Sequence, residues 1–313
     1  MSVRIFLMKG FREGTTLVVP KGRQKSWALA PEALARFHVA INRRCGGRRL
    51  QRALFFSVFL FLVLSFSLSL RAQSLRIAAA SDLQFVLPDL AAQYEKQTGV
   101  KLDITYGSSG NFLAQIQNGA PFDLFFSADT TYPNKLIEAR LADPDSLHVY
   151  AVGRLVLWLP SDSPLDPARA GLKTLLDSRI QKIAVANPQH APYGRAAIVA
   201  LQSAGLYDQL RPKLVFGENI SQTAEFVHSG GAQAGLIALS LALSPAMGSG
   251  KYWEVPADFY PHVEQAVVLL ASSENKKAAA DFLAFLKTPP ARATMERYGF
   301  NLPPPPPPAR HKL

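Results

Sequence analysis

The chain has 313 residues, enough for two lobes, with 34 Lys and Arg against 23 Asp and Glu, a net charge of +11 and a single cysteine. The charge excess is local: residues 1–73 hold 13 basic and 2 acidic side chains, whereas residues 74–313 hold 21 of each. An even balance over the body argues against a nucleic-acid partner, and Cys45, which precedes the body, leaves it neither a disulfide nor a thiolate metal site.

In chain order, RRCGGRRLQR (43–52) is a basic stretch and ALFFSVFLFLVLSFSLSL (53–70) an uncharged, mostly apolar run. RAQS then offers small Ala72 before a polar start. This is the layout of a secretory signal cleaved near 72–74, and the length of the run also suits an uncleaved anchor. The first residues, up to about position 40, show no periodicity, and a signal normally begins near its basic part. They read as a start site assigned too far upstream.

From Leu75 onward, apolar runs alternate with helical patterns. LRIAAA (75–80) reads as a strand and DLQFVLPDLAAQYEKQTG (82–99) as a helix closed by Gly99. A strand over 100–106, a helix over 111–119 and a buried strand over 122–128 follow, then a helix over 136–142. VYAVGRLVLWLP (149–160) is one long strand-like run that crosses between lobes. The second series is strand 182–186, helix 194–205, strand 213–217, helix 221–230 and strand 234–239. A strand over 262–271 crosses back, and helices over 275–289 and 291–300 close the body. Alternation of this kind predicts α/β lobes, each a mostly parallel sheet flanked by helices. The six prolines of 303–308 and the residues up to 313 read as a disordered polyproline tail.

The chemistry gathers at four strand-to-helix junctions. In AAASDLQ, Ser81 follows a strand and Gln84 stands at capping-box spacing. TYGSSGNFLAQI (105–116) brings Ser108 and Ser109 to a helix start, and NPQHAPYGRAA brings Tyr193. GENISQTAE places Asn219 and Gln222 at capping-box spacing around Ile220. A helix start exposes unpaired N–H groups carrying about half a positive charge. Several aimed into one crevice hold an anion with neutral donors alone. Taken singly, each junction reads as an ordinary helix cap. Glycine spacing argues against a hydrolase elbow, since Gly107 and Gly110 are three apart. GSGK (248–251) lacks the full phosphate-loop pattern, and His148, His190, His228 and His262 are scattered without metal-ligand spacing. Asp82 reads first as a first-turn carboxylate favouring the helix dipole, and alternatively as an acceptor facing a ligand. Arg195 reads as a solvated helix face, or as a cation for the anion.

RIAAASDLQFVLPDLAAQYEKQTG, YGSSGNFLAQIQNGAPFDLFFSAD, ANPQHAPYGRAA, GENISQTAEFV and the ending AFLKTPPARATMERYGF resemble the periplasmic molybdate-binding proteins of ABC importers. The resemblance spans about 74–302 and implies a two-lobe periplasmic-binding-protein fold of type II with a hinge of crossing strands. It implies an exported, monomeric protein, without a cofactor and not an enzyme, that captures molybdate or tungstate for a membrane permease. The lobes would be 74–153 with 262–302, and 154–261. Ser81, Ser109, Tyr193 and Ile220 would hold the oxyanion, the last two through backbone N–H, with Asp82, Ser108 and Asn219 as possible additions. Where some members carry a ligand tyrosine, this chain has Ala238. The alternatives are sulfate or phosphate as ligand, or a secreted hydrolase using Ser81 or Ser109, for which no His and carboxylate partners are announced.

Overall fold

A computed structural model describes residues 74–304. The signal and upstream segment read from the sequence, and the proline tail beyond residue 304, lie outside the described residues.

Apolar runs become strands and build two five-stranded sheets. The first has the order β2-β1-β3-β10-β4, from β1 (Ser74–Ala80), β2 (Lys101–Gly107), β3 (Leu124–Ser127), β4 (His148–Gly153) and β10 (Val263–Leu269). The second has the order β7-β6-β8-β5-β9, from β5 (Leu155–Leu159), β6 (Ile183–Ala186), β7 (Leu214–Gly217), β8 (Ala234–Ala238) and β9 (Lys251–Glu254). In each sheet four strands share one direction and one opposes them, β10 in the first and β5 in the second. The opposing strand is in both cases the first one laid down after the chain changes sheets. The two sheets thus repeat one topology, with the chain crossing once in each direction.

The first crossing corrects an expectation. Residues 149–160 are not one strand: β4 ends at Gly153, and β5 begins at Leu155 in the other sheet. The return lies between β9 and β10, so the run near 262–271 belongs wholly to the first sheet. β9, which the sequence reading omitted, covers the edge of β5 with the register Val156↔Glu254 to Leu159↔Lys251. The two crossings are tied together. Arg154 forms a two-pronged ion pair with Glu254, and Leu155 N donates to Tyr260 Oη at 3.1 Å.

Helices cover the sheets where their apolar stripes allow. α1 (Val86–Thr98) buries Val86, Leu87, Leu90 and Tyr94, the spacing of one helical face, and Gly99 ends it at φ 74°, a left-handed conformation natural to glycine. Tyr94 packs edge-on against Phe282 of α6 (Lys276–Leu286) at 5.0 Å between ring centres. α7 (Pro289–Arg297) completes that face. On the opposite face, Phe112 of α2 (Ser109–Gln117) and Leu136 of α3 (Thr131–Glu138) pack on Phe125. α3 starts five residues ahead of the helix expected over 136–142. Around the second sheet, α4 (Pro192–Ser203), α5 (Ile220–His228) and the turn Leu239–Ala242 enclose a separate core. Each side chain the size of Leu or Phe buried in these cores stabilises the fold by about 1.5–3 kcal/mol.

Candidate functional site

In open α/β sheets a ligand lies beyond the carboxyl ends of the parallel strands. Here β1 and β2 of the first sheet and β6 and β7 of the second send their following turns to one cleft of about 200 Å³, counting its mouth. Ser81 and Asp82 follow β1, Ser108 and Ser109 follow β2, Tyr193 opens α4, and Ile220 opens α5; all line that cleft and all are buried. Asn219 is half a step behind Ile220, joined to the cleft through Ser81. The four junctions singled out by sequence therefore converge.

Their local chemistry differs from a row of capping boxes. No side chain caps the turn that starts at Ser81, the helix that starts at Ser109, or the one that starts at Pro192. Helix starts without side-chain caps keep their first amides for another acceptor. The expected Ser81–Gln84 box is absent, because Ser81 is turned across the cleft: its Oγ donates to Asn219 Oδ1 at 3.2 Å and accepts from Ser221 N at 3.2 Å. Asn219 does cap α5, accepting from Ser221 N and Gln222 N at 3.0 Å each, which leaves the preceding amide, that of Ile220, outside the cap, and Ile220 lines the cleft. Gln222 reaches back one residue further than a capping box, to Glu218 N at 2.6 Å.

Ser109 Oγ accepts from Ala128 N at 3.0 Å. With that lone pair engaged, its hydroxyl proton is left to donate. Ser108 behaves otherwise, pairing with His190 Nδ1 at 2.9 Å, while Gly110 N donates to His190 O at 2.9 Å. Asn111 adds a bond to Glu218, and His190 Nε2 stands 3.7 Å from Glu218 Oε2. These contacts join turns of one sheet to turns of the other. The Ser108–His190–Glu218 line is a tether between lobes, with Glu218 half exposed and too far to orient the imidazole as a triad acid does. Arg195 is only partly solvated and does not line the cleft. It pairs with Asp129 and donates to Tyr132 Oη at 2.9 Å, with its guanidinium 5.3 Å from the ring centre.

Behind Ser81 lies a buried polar network. Gln265 Nε2 donates to Asp82 Oδ2 and to Tyr193 Oη, the latter at 3.1 Å, and Gln265 Oε1 accepts from Tyr150 Oη at 2.7 Å. The Tyr193 hydroxyl is thus engaged at the back wall, and no side chain caps the helix start to which Tyr193 belongs. Burial pushes the Asp82 carboxyl up to about 6, against smaller opposing contributions from the Gln265 amide and the nearby Tyr193 hydroxyl. Burial first, and the Asp82 charge second, raise the Tyr150 and Tyr193 hydroxyls well above the usual phenol range. Ala238 is fully buried in β8, paired with Leu155, and offers no hydroxyl. Among the described residues no group of His, Cys, Asp and Glu could hold a metal cation.

The family model of the bacterial extracellular solute-binding proteins matches residues 75–301. The chain belongs to that family. It is 40% identical over 241 residues to the molybdate-binding protein of Rhodobacter capsulatus, covering 76% of this chain and 93% of that one. Against the solved periplasmic molybdate-binding protein of Azotobacter vinelandii the identity is 36% and the TM-score 0.69, over 73% of this chain and 99% of that one. The sulfate-binding protein of Mycobacterium tuberculosis, at 16% identity and a TM-score of 0.59, shares the fold alone. The architecture is that of a two-lobed periplasmic binding protein, and the chain is a solute-binding protein, not an enzyme.

For a solute-binding protein, the residues missed by the sequence reading are those that join the lobes and back the cleft: His190, Asp129, Tyr150 and Gln265. Gln265 lies 183 positions from Asp82, and only the sheet order brings them together.

Proposed function

We propose that the cleft captures molybdate or tungstate and that the loaded protein delivers it, as a monomer, to the permease of an ABC importer. The observation that carries this reading is the meeting of three helical starts without side-chain caps and the start of α5 in one small cleft that, among the described residues, no lysine or arginine lines. Such a site replaces the water around a compact dianion with fixed N–H and O–H donors, each charge-assisted bond contributing about 1.5–3 kcal/mol. Ser109 would donate through Oγ, Ser81 would do so by turning its hydroxyl from Asn219 Oδ1 to the anion, and Tyr193 and Ile220 would donate through N–H. Asp82 is a further wall residue, and Ser108 and Asn219 support from behind. The names of the relatives point the same way, toward molybdate.

Residues 74–153 with 262–302 would form one lobe and 154–261 the other, swinging about the Gly153–Leu155 and 255–262 links. Closure would dry the site and strengthen every bond in it. Residues 43–72 would act as the export signal, placing the protein in the periplasm.

Thermal-shift titration against molybdate, tungstate, sulfate, phosphate and chromate tests the reading. Stabilisation should grow with concentration for molybdate and tungstate. A shift with sulfate or phosphate alone would reassign the ligand, and none with any tetrahedral anion would overturn the site.

A further inference from the structure

Asp82 stands in the wall of a cleft that is otherwise hydroxyl, amide and apolar surface. Its side chain is fully buried. One carboxyl oxygen, Oδ2, accepts from Gln265 Nε2, while the other, Oδ1, is buried without any hydrogen-bond partner. The groups that face it are Gln265 from β10, Tyr193 from α4 and Tyr150 from β4, all neutral. Ser240, in the turn after β8, reaches only its backbone carbonyl, at 2.8 Å. Among the described residues no Lys, Arg or His contributes to the shift of the carboxyl.

An ionised carboxylate with one oxygen unpaired in a dry site is costly. Burial already moves its protonation up to about 6, and a dianion brought against it adds like-charge repulsion in the same direction. A proton on Oδ1 turns an orphaned acceptor into a donor, which is the kind of group a fully ionised oxyanion requires. We propose that Asp82 enters the loaded complex as a neutral carboxylic acid that donates a hydrogen bond to the anion, so that each dianion captured draws one proton into the cleft. This rests on the oxyanion reading of the site. The proton comes from solvent, no covalent bond forms or breaks in the anion, and the complex gains one charge fewer than the anion carries. The same donor gives selectivity. Anions with bare oxygens are favoured over hydrogen phosphate, whose own proton would need an acceptor that protonated Asp82 does not offer.

Calorimetric titration of the purified protein with molybdate at pH 7.5, in buffers of different ionisation enthalpy, counts the protons. Because the free carboxyl titrates near 6, the expected uptake is close to one proton per anion. The apparent affinity should then fall about tenfold per pH unit between roughly pH 7 and 9, since binding requires the protonated form. Asp82→Asn keeps a neutral donor of the same shape, so its uptake should drop to zero and its affinity should stay flat over that range. Molybdate binding with no proton uptake by the natural protein overturns the proposal, as does continued proton uptake by the Asp82→Asn variant. Absence of molybdate binding at every pH overturns the reading of the site and this inference with it.

Discussion

Ser109 illustrates how a hydroxyl acquires a direction. Ala128 N donates to its Oγ at 3.0 Å, so the remaining useful role of the hydroxyl is to donate, and the side chain is buried against the cleft. Ser109→Ala removes that donor and leaves the Ala128 amide without its acceptor. Molybdate affinity measured by calorimetry should fall by about tenfold or more, the loss of one charge-assisted bond; unchanged affinity would remove Ser109 from the site. Ser109 was legible in the sequence because a serine at a strand-to-helix turn is a local pattern. The Asp82 surroundings were not, since Gln265 and Tyr150 reach it only through long-range strand pairing, and a first-turn carboxylate looks the same whether it faces solvent or a dry wall.

At the scale of elements, alternation of apolar runs and helical stripes located nearly every strand and helix start, and Gly99 ended α1 as expected. The start of α3 lies five residues ahead of the expected one, and the short helical turns Pro167–Ala170, Tyr207–Leu210 and Leu239–Ala242 escaped the reading. Two further features escaped for physical reasons. The run 149–160 is apolar on both sides of Gly153 and Arg154, and one glycine followed by one cation is too weak a break to separate two strands of different sheets from one long strand. β9 is a four-residue edge strand with alternate residues exposed, and although Tyr252 and Trp253 favour a strand, the segment is too short to show a periodicity. The start of α2 yields a prediction of its own. A Cβ on Gly110 would lie 2.7 Å from His190 Cβ, 2.8 Å from His190 Cα and 2.8 Å from Tyr132 Oη. The clash partners include backbone of the opposite lobe, so Gly110→Ala should leave each lobe intact while preventing their approach. The melting temperature without ligand should change little, and the stabilisation by molybdate should largely disappear. A variant that still gains full stabilisation would show that the two turns need not touch in the loaded form.

For the whole molecule, the issue is what holds the lobes together and for how long. Two hinge links set the axis, secured by Arg154–Glu254 and by the Tyr260 bond to Leu155. At the mouth the lobes meet through the His190 tether and through Arg195 of α4, which reaches Asp129 and Tyr132 beside α3. Asp129 is fixed in place by Ser127 Oγ at 3.1 Å and by Tyr132 N at 3.2 Å, so Arg195 meets a preorganised acceptor. Burial holds the Asp129 carboxyl above its usual range, and Arg195 works against that rise. The Arg195 side chain is 39% exposed, which limits the pair with its ring contact to about 1 kcal/mol. That energy exists only while the lobes are closed. It therefore belongs to release and not to encounter, because anions enter before the latch forms. Arg195→Gln should speed molybdate release roughly fivefold and leave the association rate unchanged, as read by stopped-flow fluorescence. Raising the salt concentration should narrow the gap between the two proteins, since screening weakens the natural pair and leaves the Gln variant alone. An equal change in both rate constants would instead place Arg195 in the path of the incoming anion, and no change in either would leave closure to the cleft and the hinge alone.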